Sequence, residues 1–337
     1  MNSMKRLRIA GLLSAALLVF VMSGAAQTKD DVVNAYNAGA KAYLANDFAG
    51  AVASFQQVID LGAKVGADAD SLRLKCEKVL PNVQLQLAGS VYQNKASSSA
   101  EVIDAFQKAK DLANKYHDAV TTAKVNGFMP KYYNQLAKTA FNAKDYPNAL
   151  VNYDKVIALD PNNTTAYFNK ALTYKNQNAF DPMVQTLTKT IEIATKTSDT
   201  AAVRKSKQML ESEYMSLANS AYQKADYKGA LVPLAEVFKY DDKNTNAYYV
   251  LSDCKNKLKE YDAALEAVTK GLQYENPANK ELVARFYLQQ GVAYAAKGDK
   301  EKAVASFKLA SVGKYAVPAA AYIKGLTAKP TTAPVKK

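Results

Sequence analysis

The sequence predicts an all-α solenoid of stacked helix pairs, on three observations. The first is recurrence: Tyr133, Ala137, Tyr146, Ala149 and Tyr153 return 34 residues later as Tyr167, Ala171, Phe180, Met183 and Leu187. Downstream, Tyr214, Ala218, Tyr227, Ala230 and Leu234 return as Tyr248, Ser252, Tyr261, Ala264 and Val268. A period in this range marks supersecondary units that bury their apolar faces by stacking. The second is helical spacing within a copy, in two stripes: Tyr133, Leu136, Ala137, Ala140, Phe141, then Ala149, Leu150, Tyr153, Val156, Ile157. The third is the closing run Leu159-Asp160-Pro161-Asn162-Asn163, whose proline and asparagines stop a helix. Each unit is therefore two helices. Alanines let them approach closely, and tyrosines and phenylalanines fill the space between units.

Taken in order, the first copy carries Ala38-Gly39, Asp47-Phe48, Ala51, Phe55 and Leu61, and a degenerate second surrounds Ala88, Tyr92, Phe106 and Ala109. The last shows Gly291, Tyr294, Gly298-Asp299, Ala303, Phe307 and Ala310. About seven units result. The small residues of successive first helices are 34 apart from Ala137 to Ala171 and from Ala218 to Ser252. They are 49 apart from Gly39 to Ala88 and from Ala88 to Ala137, and 47 apart from Ala171 to Ala218. The excess places insertions near Val65 to Pro81, Lys115 to Phe128 and Thr195 to Gln208. The first and third are polar and alanine-bearing, which predicts lengthened helices. Pro81 is expected to kink or start a helix. The expected organisation is a leader over 1–26, N-terminal units over 27–126, a main array over 127–315 and a tail over 316–337, disordered from Thr327.

The small and aromatic lattice closed by Leu-Asp-Pro resembles the tetratricopeptide repeat, most closely from Tyr133 to Asn163. Tyr133, Tyr167, Tyr214 and Tyr248 stand where that repeat carries tryptophan. The resemblance implies a right-handed superhelix whose concave face, lined by the first helix of each pair, takes peptides. It places Lys131, Asn134, Lys138 and Phe141 on that face, followed by Phe168, Asn169, Leu172 and Lys175. Further along come Met215, Asn219, Tyr222 and Gln223, then Asn246, Tyr249, Asp253, Asn256 and Lys257. Asparagine amides both donate to and accept from an extended peptide, and the interleaved apolar side chains suit its residues. Four lysines against one aspartate tilt the set toward acidic or carboxylate-ended ligands. The two-carboxylate clamp of chaperone-binding members is matched only at Asn169, so chaperone-tail binding is not expected.

Lys5, Arg6 and Arg8 precede an apolar run from Ile9 to Met22 and the small residues Ser23-Gly24-Ala25-Ala26. This is the pattern of an export signal cleaved before Gln27, and the run is too short to span a bilayer. Net charge is +13, and losing those three cations leaves +10. Only Arg73, Arg204 and Arg285 remain beyond the signal, so arginine-based reading of nucleic acid is not expected. Cys76 and Cys254, about four repeats apart, read as separate buried thiols.

His117 is the only histidine, which excludes histidine-rich zinc sites and leaves a Ser-His-Asp triad without support. Phosphate-cradling glycine loops are missing. Asp242, Asn244, Asn246 and Asp253 imitate calcium-loop spacing, but Asp241 to Asn244 correspond to the inter-repeat turn Asp160 to Asn163, and Ala247 stands where the loop needs glycine. Asp70-Ser71-Leu72 and Asp199-Thr200-Ala201 match a short bacterial O-glycosylation pattern. No metal, cofactor or catalytic residue is expected. The sequence thus predicts a non-catalytic scaffold for proteins or peptides in a Gram-negative periplasm or at the periplasmic face of the outer membrane. The alternative is a glycan or cell-wall binding module using exposed tyrosines.

Overall fold

The computed structural model describes residues 27–328; residues 1–26, where the export signal is expected, and residues 329–337 lie outside the described residues. The chain forms two compact units that meet in sequence at Tyr132 and Tyr133, six residues beyond the boundary expected at 126/127. Among the described residues there are fifteen α-helices and no strand.

The first unit contains α1 (Lys29–Leu44), α2 (Phe48–Val65), α3 (Asp70–Gln93), α4 (Ser99–Lys115) and the first half of α5 (Ala119–Asn142). The second contains the rest of α5, α6 (Tyr146–Leu159), α7 (Thr164–Asn176), α8 (Phe180–Lys196), α9 (Thr200–Gln223) and α10 (Tyr227–Tyr240). It continues with α11 (Thr245–Lys257), α12 (Tyr261–Tyr274), α13 (Lys280–Ala296), α14 (Lys300–Leu309) and α15 (Ala316–Thr327). These make seven pairs and a final single helix. The sequence leaves residues 316–327 in the tail, yet α15 buries Ala319 in a cluster with Phe307 and Ala310.

Capping explains where the helices begin. Asp47, Asp145, Asp226 and Asp299 each accept a backbone N–H three residues on, starting the second helix of a pair. Each is preceded by a residue of positive φ: Asn46, Lys144, Ala225 and Gly298. Asn163 and Asn244 cap first helices in the same way. Alanines predicted at close helix approaches, including Ala137, Ala149, Ala171, Ala218 and Ala230, are fully buried.

All three insertions are helical, the middle one included. They lengthen both arms of a hairpin: α2 and α3 have 18 and 24 residues, α4 and α5 have 17 and 24, and α8 and α9 have 17 and 24. Elsewhere, α6, α10 and α12 have 14, and α7 and α11 have 13. The last two long hairpins turn through His117 and Ser198 at positive φ, the tight geometry otherwise found within a pair. Pro81 starts no helix: it is buried inside α3, where flanking helices hold the backbone helical across its missing donor.

Candidate functional site

In the second unit first helices are neighbours: α7 touches α9, α9 touches α11, and α11 touches α13. Between α9 and the start of α11 lies an open groove of about 530 Å³, lined by Met215, Ser216, Asn219, Ser220, Gln223 and Asn246 among others. The structure thus brings the predicted Met215 and Asn219 together with the predicted Gln223 and Asn246. Their spacing on α9, three or four residues apart, places them on one face of the helix.

The chemistry of the groove is that of amides and hydroxyls. Asn246 Oδ1 accepts a 2.8 Å hydrogen bond from Arg285 Nη1, so its amide is oriented with the oxygen already engaged. Asn244 accepts from the Ala247 N–H at 2.8 Å and donates to Glu211 Oε1 at 2.6 Å. Glu211 is the charged residue of the groove; burial, and secondarily the nearby Asp241 carboxylate, raise its pKa above the usual range.

Behind this wall sits a polar cluster whose centre, Arg285 with Glu275 and Gln289, sequence reasoning missed. Arg285 is buried, and its Nη2 meets Glu275 Oε2 at 3.0 Å in an ion pair whose side chains are 7% and 6% exposed. Its guanidinium lies 5.0 Å from the ring centroids of both Tyr249 and Phe286. Such stacking on desolvated rings is favourable for arginine. Asn256, expected on the groove face, is instead buried alongside it and donates to Gln289 Oε1 at 2.9 Å. The available signal was an isolated arginine in a lysine-dominated array, at a position where a helix facing solvent has no need of it.

The other predicted residues fare differently. Asp253 is buried and accepts from the Tyr222 hydroxyl, so it is not an open groove carboxylate; burial, followed by that bond, raises the Tyr222 pKa. Tyr249 is half-buried against Arg285 and Phe286. Phe168 packs with the cluster of Ala171, Met183 and Leu187. Asn169 and Leu172 beside it are half-buried, as are Asn134 and Phe141, whereas Lys138 is exposed. Lys131 is exposed and belongs to the first unit. Lys175 is paired with Glu213 at 2.6 Å, which weakens the expected tilt toward acidic ligands.

Remaining sequence signals have structural roles. The calcium-like oxygens do not form a free set: Asn244 caps α11, Asn246 accepts from Arg285 and Asp253 accepts from Tyr222. Asp199 caps α9 and accepts from Thr164 at 2.7 Å, and Asp70 pairs with Arg73 at 2.8 Å. Both aspartates of the glycosylation pattern are thus held within the fold. Cys76 and Cys254 are free and buried. Among the described residues no helix is long and apolar enough to cross a membrane.

A family model described as TPR repeat matches residues 140–178, and another, tetratricopeptide repeat, matches 164–197 and 284–311. A relative, stress-induced-phosphoprotein 1 of Caenorhabditis elegans, is 30% identical over 164 residues, covering 49% of this chain and 45% of its own length. The chain therefore spans about half the length of that curated relative. Among solved structures, MamA is 23% identical over 58% of this chain and 96% of its own, with a TM-score of 0.33. YrrB, described as a TPR protein with an unusual peptide-binding site, is 21% identical over 64% and 98%, with a TM-score of 0.32. A tetratricopeptide repeat protein from Parabacteroides merdae is 14% identical over 89% and 100%, with a TM-score of 0.30. Residues 140–197 and 284–311 therefore match tetratricopeptide repeats in sequence, and helix pairs continue on either side of them among the described residues.

Proposed function

We propose that this protein is a non-catalytic scaffold, exported to a bacterial envelope, that holds an extended segment of a partner protein along the first helices of its second unit. The observation that carries the reading is the groove between α9 and α11, where Ser216, Asn219, Ser220, Gln223 and Asn246 present paired donor and acceptor chemistry at one surface. A peptide backbone needs both, at intervals, and Met215 offers an adaptable apolar contact between them. Among the described residues neither Lys138 nor Lys257 pairs with a carboxylate, which supports a secondary preference for acidic or carboxylate-ended segments.

The test is co-purification of envelope proteins with the tagged full chain, alongside Asn219→Ala/Asn246→Ala and Lys138→Ala/Asn169→Ala variants whose fold is checked by circular dichroism. A partner retained by the parent and lost from the variants supports the reading. A partner retained equally by all three contradicts it. Export is read separately by N-terminal sequencing, which should begin at Gln27; a full-length cytosolic form would overturn that part alone.

A further inference from the structure

One end of the groove between α9 and α11 has its hydrogen-bonding sense set from outside the groove. Along α9 the side chains of Ser216, Asn219, Ser220 and Gln223 have no hydrogen-bond partner among the described residues, so each is able to give or to take. Toward the start of α11, Asn246 and Glu211 are held instead.

Arg285 holds the first. Gly291 and Ser252 occupy the same place in their repeats, and their offset of 39 residues aligns Arg285 on α13 with Asn246 on α11. Arg285 thus stands at a groove-facing place, yet it is buried and turned back onto its own counterpart. Its Nη2 meets Glu275 Oε2 at 3.0 Å and Thr245 Oγ1 at 3.4 Å, and its guanidinium is stacked between Tyr249 and Phe286. In that fixed position Nη1 donates to Asn246 Oδ1 at 2.8 Å. A guanidinium has donors and no acceptor, so the amide oxygen has to face it and the amide cannot turn over. What Asn246 retains for the groove is Nδ2, a donor without a partner among the described residues.

Glu211 is held in the same manner. The Ala247 N–H takes Asn244 Oδ1 at 2.8 Å, which leaves Asn244 Nδ2 to donate to Glu211 Oε1 at 2.6 Å. Among the described residues the second oxygen of Glu211 has no partner, and no cationic side chain lies within ion-pair distance of it. This end of the groove therefore presents one fixed donor and one fixed acceptor. In an extended chain the N–H and C=O of a single residue point to the same side, with the N–H first. That residue satisfies both groups, its N–H on Glu211 and its C=O on Asn246. A terminal carboxylate would satisfy Asn246 alone and meet the charge of Glu211. Lys257, which favours carboxylates, stands at the other end of α11.

We infer that Arg285 is a positioning residue that makes Asn246 an obligate donor, so that Glu211 and Asn246 together read the backbone of one internal residue and set the direction of the bound segment, from α9 toward α11. The inference rests on the reading of the groove as a peptide site, and adds which groups are read and what fixes the reader.

The probe is a labelled peptide selected by displaying random extended sequences against the full chain, remade with each backbone amide in turn replaced by an ester. An ester lacks the N–H and has a weaker carbonyl acceptor. Fluorescence anisotropy reads affinity, and circular dichroism checks the fold of each variant. Two adjacent replacements should each cost the parent chain at least threefold. The first should cost nothing further in Glu211→Ala. The second should cost nothing further in Asn246→Ala and less than half as much in Arg285→Met/Glu275→Leu, where the amide is free to turn. Glu211→Gln keeps the bond from Asn244 and offers the groove a donor. It should bind the peptide shortened to end in a carboxylate at that residue at least tenfold more tightly than the parent does. Equal costs in the parent and the Arg285→Met/Glu275→Leu protein, losses spread evenly over all positions, or the two sensitive amides in reverse order would overturn the inference. Asn219→Ala separates this from failure of the groove itself. If it weakens binding while those outcomes hold, the peptide lies in the groove and only the inference falls; if it has no effect, both fall.

Discussion

The ring of Phe55 lies directly against Gly39, sixteen residues earlier: a Cβ on Gly39 would stand 2.7 Å from two ring carbons. Gly291 and Phe307 repeat the spacing and the contact, at 2.6 Å. Three other pairs keep the same interval with alanine at the close approach: Ala137 with Tyr153, Ala171 with Leu187 and Ala218 with Leu234. This small-to-large contact joins the two helices of a pair, and its recurrence is what the 34-residue period records.

Substitution at these contacts should therefore divide by environment and not by residue type. Gly39→Ala and Gly291→Ala should each destabilise by about 1–3 kcal/mol through overpacking. Gly89→Ala, in α3 with nothing near its Cβ position, should stabilise by about 0.5–1 kcal/mol through reduced backbone entropy. Ala149→Leu and Ala230→Leu should behave like the first two. Urea unfolding midpoints decide the order.

Much of this was legible in the sequence because it repeats. Ala137, Ala149, Tyr153 and Asn163 each announce a place in the lattice, and each occupies it. The insertions were visible only as extra length: nothing in Lys115 to Phe128 distinguishes a loop from the start of α5, since helix formation there is decided by packing against α4. The groove was partly legible through Met215 and Asn219. Asp253 was misjudged because helical position alone does not show that Tyr222, 31 residues away, reaches its carboxylate. Arg285 was invisible as a site residue because its partners Glu275 and Asn246 come from two other segments.

Arg285 and Glu275 should prove costly to separate. Arg285→Ala leaves a buried carboxylate without its partner, and about 3–5 kcal/mol of stability should be lost. Arg285→Met with Glu275→Leu, which removes both charges and keeps the volume, should lose far less. Thermal and denaturant unfolding of the three proteins measure the contrast.

Glu211 gives a pH signature. Its pKa is raised in the folded state, so between the unfolded and folded values the native chain holds a proton that the unfolded chain has released. Stability therefore falls as pH rises through that window. Glu211→Gln, which still accepts from Asn244, should raise the melting temperature at pH 7 and bring no gain near pH 4. A gain of equal size at both would contradict the assignment.

Burial pushes both thiols up to about 11, and neither has a disulfide partner. Cys76 and Cys254 should be unreactive toward a thiol reagent at pH 8 in the native chain and react together on unfolding. Reaction of either in the native protein would show local opening of α3 or α11.

The most direct test of the account is hydrogen exchange on the full chain with a peptide obtained by displaying random extended sequences against it. The account predicts protection concentrated in residues 212–223 and 244–256, and at least tenfold weaker binding by the Asn219→Ala/Asn246→Ala variant. Protection spread over second helices, with affinity unchanged in that variant, would contradict it.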